Sequence, residues 1–183
     1  MELKCKKIRR VLLFTTFMMN ADAYADMGSD LDSIDELADR LSSSNGELNN
    51  RSGNYAFALQ YGDQHRLSVV QAGLKNHVDS HQLGDENIAT IEQSGGDLVV
   101  YSYQDGLQNT VYVNQKGQSN QLLSEQVGNS NRIELDQNGS DIQSRVSQIG
   151  DDNFVEMQQL GNGLRSEVIQ EGDHQVVHVI QGY

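Results

Sequence analysis

The chain has 183 residues, no proline, no tryptophan and one cysteine, with 13 Lys and Arg against 26 Asp and Glu for a net charge of −13. A balance this acidic disfavours nucleic acid and anionic membranes as partners, since both are bound through clustered cations. The lone cysteine excludes an internal disulfide framework, and the missing proline suits a chain that is strand-paired along most of its length.

Residues 1–25 read as an export signal. Lys4, Lys6, Lys7, Arg9 and Arg10 form a basic start, and Val11 to Met19 is an apolar core too short to span a bilayer. Ala23-Tyr24-Ala25 fits a small-x-small cleavage site, so cleavage is expected between Ala25 and Asp26. Cys5 leaves with this segment. Five of the 13 cations and two of the 26 carboxylates leave too, so the mature chain carries 8 positive against 24 negative charges, a net −16. Residues 26–50 are acidic and rich in Ser and Asn, with Leu31, Ile34, Leu37 and Leu41 at helical spacing. They read as a flexible leader or as a tag for a secretion partner.

Residues 51–183 form the structured domain, organised by a repeat. A glutamine recurs every 11 residues at Gln60, Gln71, Gln82, Gln93, Gln104, Gln115, Gln126, Gln137, Gln148, Gln159, Gln170 and Gln181. A glycine stands two places after each of the first eleven, from Gly62 to Gly172. A short fixed period marks a solenoid or a stacked array. With the glutamine as position 0, position 5 holds Asn54, Asn76, Asn87, Asn109, Asn120, Asn131 and Asn153, but His65, Leu98, Ile142, Leu164 and Gln175 elsewhere. Positions 7 and 9 are apolar or small, and the places between are largely polar. Alternation by two, with a glycine in every unit, predicts strand–turn–strand and argues against the right-handed coiled coil that a period of 11 otherwise allows.

A finer pattern sets the period at 22. Units starting at 65, 87, 109, 131, 153 and 175 carry two apolar inward residues, whereas those between usually carry a serine: Ser80, Ser102, Ser124, Ser144 or Ser166. The prediction is an all-β, cross-β-like solenoid of six 22-residue rungs, each giving one strand to each of two facing sheets. At about 4.8 Å per rung it stands roughly 30 Å tall. Like-numbered Gln and Asn side chains then form amide ladders, which satisfies groups that are otherwise costly to bury. Glycine at position 2 turns the corner.

The pattern Gln-x-Gly-x-x-Asn-x-Ala-x-x-x-Gln resembles the curlin family, the subunits of bacterial curli amyloid fibres. It is clearest in QLGDENIATIEQ and in QSGGDLVVYSYQDGLQNTVYVNQKGQSNQLLSEQ, and the resemblance covers 54–183. Uniform 11-residue corners look more like the minor, nucleating curlin than the major one. Six rungs rather than five, the interrupted Asn position and a last rung without a basic cluster are departures. The resemblance implies export through an outer-membrane pore that reads residues 26–50, assembly factors, and other curlin subunits as partners.

Sharper chemistries fit less well. His77 and His81 share an outward face but stand roughly 13 Å apart along one strand, which suits solvated histidines rather than a metal pair. Acidic corners such as Asp151-Asp152 lack the calcium-binding nonapeptide. No nucleophile constellation, phosphate loop or carboxylate pair stands in a plausible cleft, so no enzyme, cofactor or small-molecule substrate is expected. Thr90 and Thr110 are too few for an ice-binding row, and outward Tyr101, Tyr103 and Tyr112 suit sheet or fibre contacts. The end strands are distinctive: Tyr55, Phe57 and Leu59 make the first apolar on its outward face, and Val176 and Ile180 nearly do so for the last, beside inward Val177. Uncapped edges of this kind template added strands.

The expectation is therefore a secreted, extracellular, cell-surface fibre subunit that nucleates polymerisation by edge templating. A major fibre-forming subunit and a soluble monomeric β-solenoid adhesin are the alternatives, and a β-helix carbohydrate enzyme lacks its carboxylate-lined groove.

Overall fold

A computed structural model describes residues 21–25 and 53–182. The basic and apolar parts of the expected signal, the leader at 26–50 and Tyr183 lie outside the described residues. In chain order the strands are β1 (Ala21–Ala25), β2 (Asn54–Asp63), β3 (Arg66–Leu74), β4 (His77–Asp85), β5 (Ile88–Gly96), β6 (Val99–Leu107) and β7 (Thr110–Gln118). There follow β8 (Gln121–Asn129), β9 (Arg132–Ser140), β10 (Gln143–Ile149), β11 (Phe154–Asn162), β12 (Arg165–Glu171) and β13 (Val176–Gly182).

Even-numbered strands stack in one parallel sheet, in the order β1-β2-β4-β6-β8-β10-β12, and odd-numbered ones in the other, β13-β11-β9-β7-β5-β3. From β2 onward every partner stands 22 residues away, as in Gln82↔Gln104 and Gln93↔Gln115. These are the six rungs and two facing sheets that the alternating units predict. The sheet that begins with β1 has one strand more than the repeat provides.

The interior follows from the pleat. Inward Val78, Val100, Leu122 and Val146 of one sheet and Ile91, Val111, Ile133 and Val155 of the other are fully buried and share one core. At roughly 1.5–3 kcal/mol for each such side chain, this column is the main apolar contribution to stability.

The corner differs from the expected one. Most strands run through their position-2 glycine, β10 and β12 stopping just short of theirs; that glycine holds a positive φ between +96° and +151°, and the sharp bend comes two residues later. Position 4 there is left-handed in every unit: ten non-glycine residues, among them Lys75 (φ 59°), Asp97 (φ 53°) and Ser119 (φ 56°), and Gly163 (φ 66°). The glycine has a separate steric duty. A β-carbon on Gly117 would lie 1.8 Å from the carbonyl oxygen of Gly139 in the next rung.

Candidate assembly site: amide ladders and end strands

Inward-pointing glutamines close each end of the core. Each Nε2 donates to the Oε1 of the glutamine one rung on, from Gln60 to Gln82 (2.5 Å) through Gln104 to Gln126 (2.9 Å) to Gln148 to Gln170 (2.7 Å). The other column runs from Gln71 to Gln93 (2.8 Å) through Gln115 to Gln137 (2.8 Å) to Gln159 to Gln181 (2.9 Å). The second N–H reaches across the core, as from Gln104 to the carbonyl of Ile88 at 3.1 Å, so each side chain ties two rungs and both sheets. In the last rungs serine joins the network: Ser144 Oγ accepts from Gln137 and donates to Gln159.

All these bonds point one way, so each column is polar. At the first rung the Oε1 atoms of Gln60 and Gln71 are buried and accept no hydrogen bond. At the last rung the Nε2 atoms of Gln170 and Gln181 reach only backbone carbonyls, of Phe154 at 3.3 Å and Arg165 at 3.4 Å. Acceptors are free at one end and donors are underused at the other.

The asparagines do something other than the ladder expected of them. Asn109 Oδ1 accepts the backbone N–H of Asn131 (3.0 Å), while Asn109 Nδ2 donates to the carbonyls of Asp105 (3.3 Å) and Gly128 (2.7 Å). They fasten corners to the rung beyond. Asn54, Asn76, Asn87, Asn120, Asn131 and Asn153 occupy the equivalent places and are buried. Side chain meets side chain only from Asn131 Nδ2 to Asn109 Oδ1, at 3.2 Å.

Two of the apparent interruptions are surrogates. His65 Nε2 lies 2.7 Å from the Tyr61 carbonyl and must donate to it, which leaves Nδ1 to accept the N–H of Asn87 at 3.3 Å. Gln175 Nε2 likewise donates to the carbonyl of Glu171 at 2.6 Å. Leu98 and Ile142 instead add buried apolar volume.

The first edge corrects the expectation that nothing caps it. β1 pairs in parallel with β2 in the register Ala21↔Asn54 to Ala25↔Ala58, so the segment read as the end of the signal lies along the edge strand. The outward residues of β2 are not solvated either. Phe57 and Leu59 are buried and cluster with Tyr101 and Tyr103, Tyr55 is half-buried beside them, and its ring stacks on His77 (centroids 5.0 Å, 6° between planes). His77 and His81 are buried as well, 6% and 0% exposed, which overturns the solvated reading. His81 Nε2 lies 2.7 Å from Asp79 Oδ1, at an angle that makes no hydrogen bond. The physical reason is stacking: outward rings from successive rungs lie against one another instead of against water.

At the other end, Val176 and Ile180 are 60% and 81% exposed, and Val177 packs half-buried against the core. No described strand pairs with the outer sides of β12 and β13.

Tyr112 is exposed beside a shallow groove on the outer face of β5, β7, β9 and β11, where Arg132 lies 5.2 Å from its ring centroid and hydrogen-bonds Glu134. The groove's cation is thus already engaged. Among the described residues, no three His, Cys, Asp or Glu side chains come together as metal ligands.

Identical side chains one rung apart, with every bond directed along a single axis, define a stacked structural repeat protein. The family model for the curlin associated repeat matches residues 84–117 and 128–161. Together the repeat and the solenoid support a curlin-type structural subunit. No curated protein and no solved structure matches the chain.

Proposed function

We propose that the protein is a secreted subunit of extracellular curli-type amyloid fibres, and that it seeds their growth by stacking end to end. One observation carries this reading: the two ends of the solenoid complement each other. Extending the 22-residue register by one rung sets the first rung of a second copy on β12 and β13. Gln170 and Gln181 then donate to the free Oε1 atoms of that copy's Gln60 and Gln71. The same register places Leu59 on Ile169 and Val70 on Ile180. It also brings Asp63 Oδ1 to the backbone N–H of Asp173, repeating the bond that Asp151 N–H makes to Asp173 Oδ1 at 2.9 Å.

Of the two subunit types, the nucleator fits better, because both corners of every rung have the same length and the same left-handed bend. Residues 26–50 serve as the tag read by the export pore, and Ala25–Asp26 is the cleavage point.

The experiment is to add the chain from Asp26, in sub-stoichiometric amounts, to the organism's other fibre subunit and time the lag. A shortened lag is expected. A single sharp sedimentation species that never seeds would instead assign a monomeric adhesin. Charged residues placed at Phe57 and Val177 together, one at each end, should abolish seeding, because neither edge then takes an incoming strand; each site also packs within the chain, so folding of the double variant is checked alongside.

A further inference from the structure

We propose that the segment Ala21–Ala25 is an intramolecular cap on the first templating edge, and that cleavage after Ala25 removes it. The inference rests on the edge-templating reading above and on the cleavage point read from the sequence. Its own observation is the register of β1 on β2. β1 occupies the place that an incoming strand takes, one rung before β2, with the same parallel sense as every other pair in the sheet.

The backbone gives the cap its chemistry. Residues of a parallel strand bond alternately to the neighbour on either side. Tyr55 N–H donates forward, to Asn76 O at 2.8 Å, so Ala56 and Ala58 direct their N–H groups the other way, towards β1. A capped edge has those donors filled. After cleavage between Ala25 and Asp26 nothing covalent holds the five-residue strand in place, and a strand this short does not stay paired by itself. The edge of β2 is then bare, in a sheet whose next acceptor is the free Gln60 Oε1. β3, the first strand of the other sheet, has no such partner among the described residues, so the cap covers half of the end face. Half suffices, because an incoming rung must pair with both sheets at once.

The test uses a Val177→Asp background, which disables the last edge and leaves the first as the only template. Three chains are compared as seeds: residues 1–183, residues 1–183 with Tyr24→Pro, and the chain from Asp26. Tyr24 is the partner of Phe57 and its N–H faces β2, so proline there removes one ladder bond and breaks the cap. The chain from Asp26 should shorten the lag, the full chain should not, and Tyr24→Pro should restore seeding to the full chain. Hydrogen exchange at Ala56 and Ala58 should be slow in the full chain and fast in the other two. Equal seeding by the full chain and the chain from Asp26 overturns the cap. So does a silent Tyr24→Pro chain whose Ala56 and Ala58 amides exchange fast, because the block then lies elsewhere. No seeding by the chain from Asp26 removes the first edge as a template, and the templating reading fails with it.

Discussion

Gln115 donates its side-chain N–H to Gln137 Oε1 at 2.8 Å, one rung away and wholly out of solvent. Each of the two is useful only because the other is an amide at the same place. Gln115→Leu leaves the Gln93 donor with one partner fewer and the Gln137 acceptor with none. The expected loss is about 1–3 kcal/mol, the cost of a buried polar group left unpaired. It should appear as a lower urea midpoint with an unchanged slope. Gln181→Leu, at the last rung, takes an acceptor from Gln159 and Ser166 but strands no glutamine acceptor within the chain, so it should lower the midpoint less and yet slow elongation, since its donor is needed chiefly by the next copy.

Gly163 stands where ten other corners place a non-glycine residue with φ near +60°, and a β-carbon there meets nothing within 4 Å. Asparagine tolerates this conformation and has fewer unfolded conformers to lose. Gly163→Asn should therefore stabilise the chain by about 0.4–1 kcal/mol. Gly117→Ala should do the reverse: its β-carbon meets backbone at 1.8 Å, and a loss of about 4 kcal/mol or more is expected. Thermal unfolding of the pair separates a glycine that its corner does not require from one required by close approach.

Much of this architecture was legible because the repeat is strict at Gln and Gly, and because Ser80, Ser102 and Ser124 mark which units share a sheet. Position 4 was not, since the backbone dictates its conformation while the side chain points to solvent, so Lys75, Asp97 and Ser119 serve equally. The burial of His77 and His81 was hidden for another reason. Alternation sorts residues into inward and outward, and says nothing of outward rings stacking from one rung to the next. His65 as an asparagine surrogate depends on which ring nitrogen meets the Tyr61 carbonyl, a matter of distance alone. Pairing of 21–25 with β2 carries no glutamine frame, so no periodicity announces it.

Stacking also sets like charges one rung apart, as with Glu134 beside Glu156 and Asp63 beside Asp85. At −13 for the whole sequence, and −16 if cleaved after Ala25, the chain repels each copy that the proposed stacking would add. Screening shortens that repulsion from a Debye length of about 30 Å at 0.01 M salt to about 3 Å at 1 M. Lag times in a thioflavin assay should fall steadily across this range, and acid pH should act in the same sense by removing carboxylate charge. A lag indifferent to both would mean that addition is not opposed by charge.

The glycine column offers a variant aimed at assembly more than at folding. Wherever another glycine stands one rung on, from Gly62 to Gly150, a β-carbon at position 2 would lie 1.5–2.2 Å from that glycine's carbonyl oxygen, 2.2 Å between Gly150 and Gly172. At Gly172 the nearest atom is the Nε2 of Gln175, at 3.2 Å, because no described rung stacks on it. Gly172→Ala should then cost the single chain only the strain of its φ of +110°, about 1–2 kcal/mol. In a stack, the same methyl group meets the Gly62 carbonyl of the incoming copy. Sedimentation should find the variant folded and soluble, while growth from its last rung stops. The matching Gly150→Ala should instead fail to fold its last rungs. Normal elongation by a folded Gly172→Ala chain would show that copies do not join by continuing the 22-residue register, and the end-to-end reading would have to give way to contacts between sheet faces.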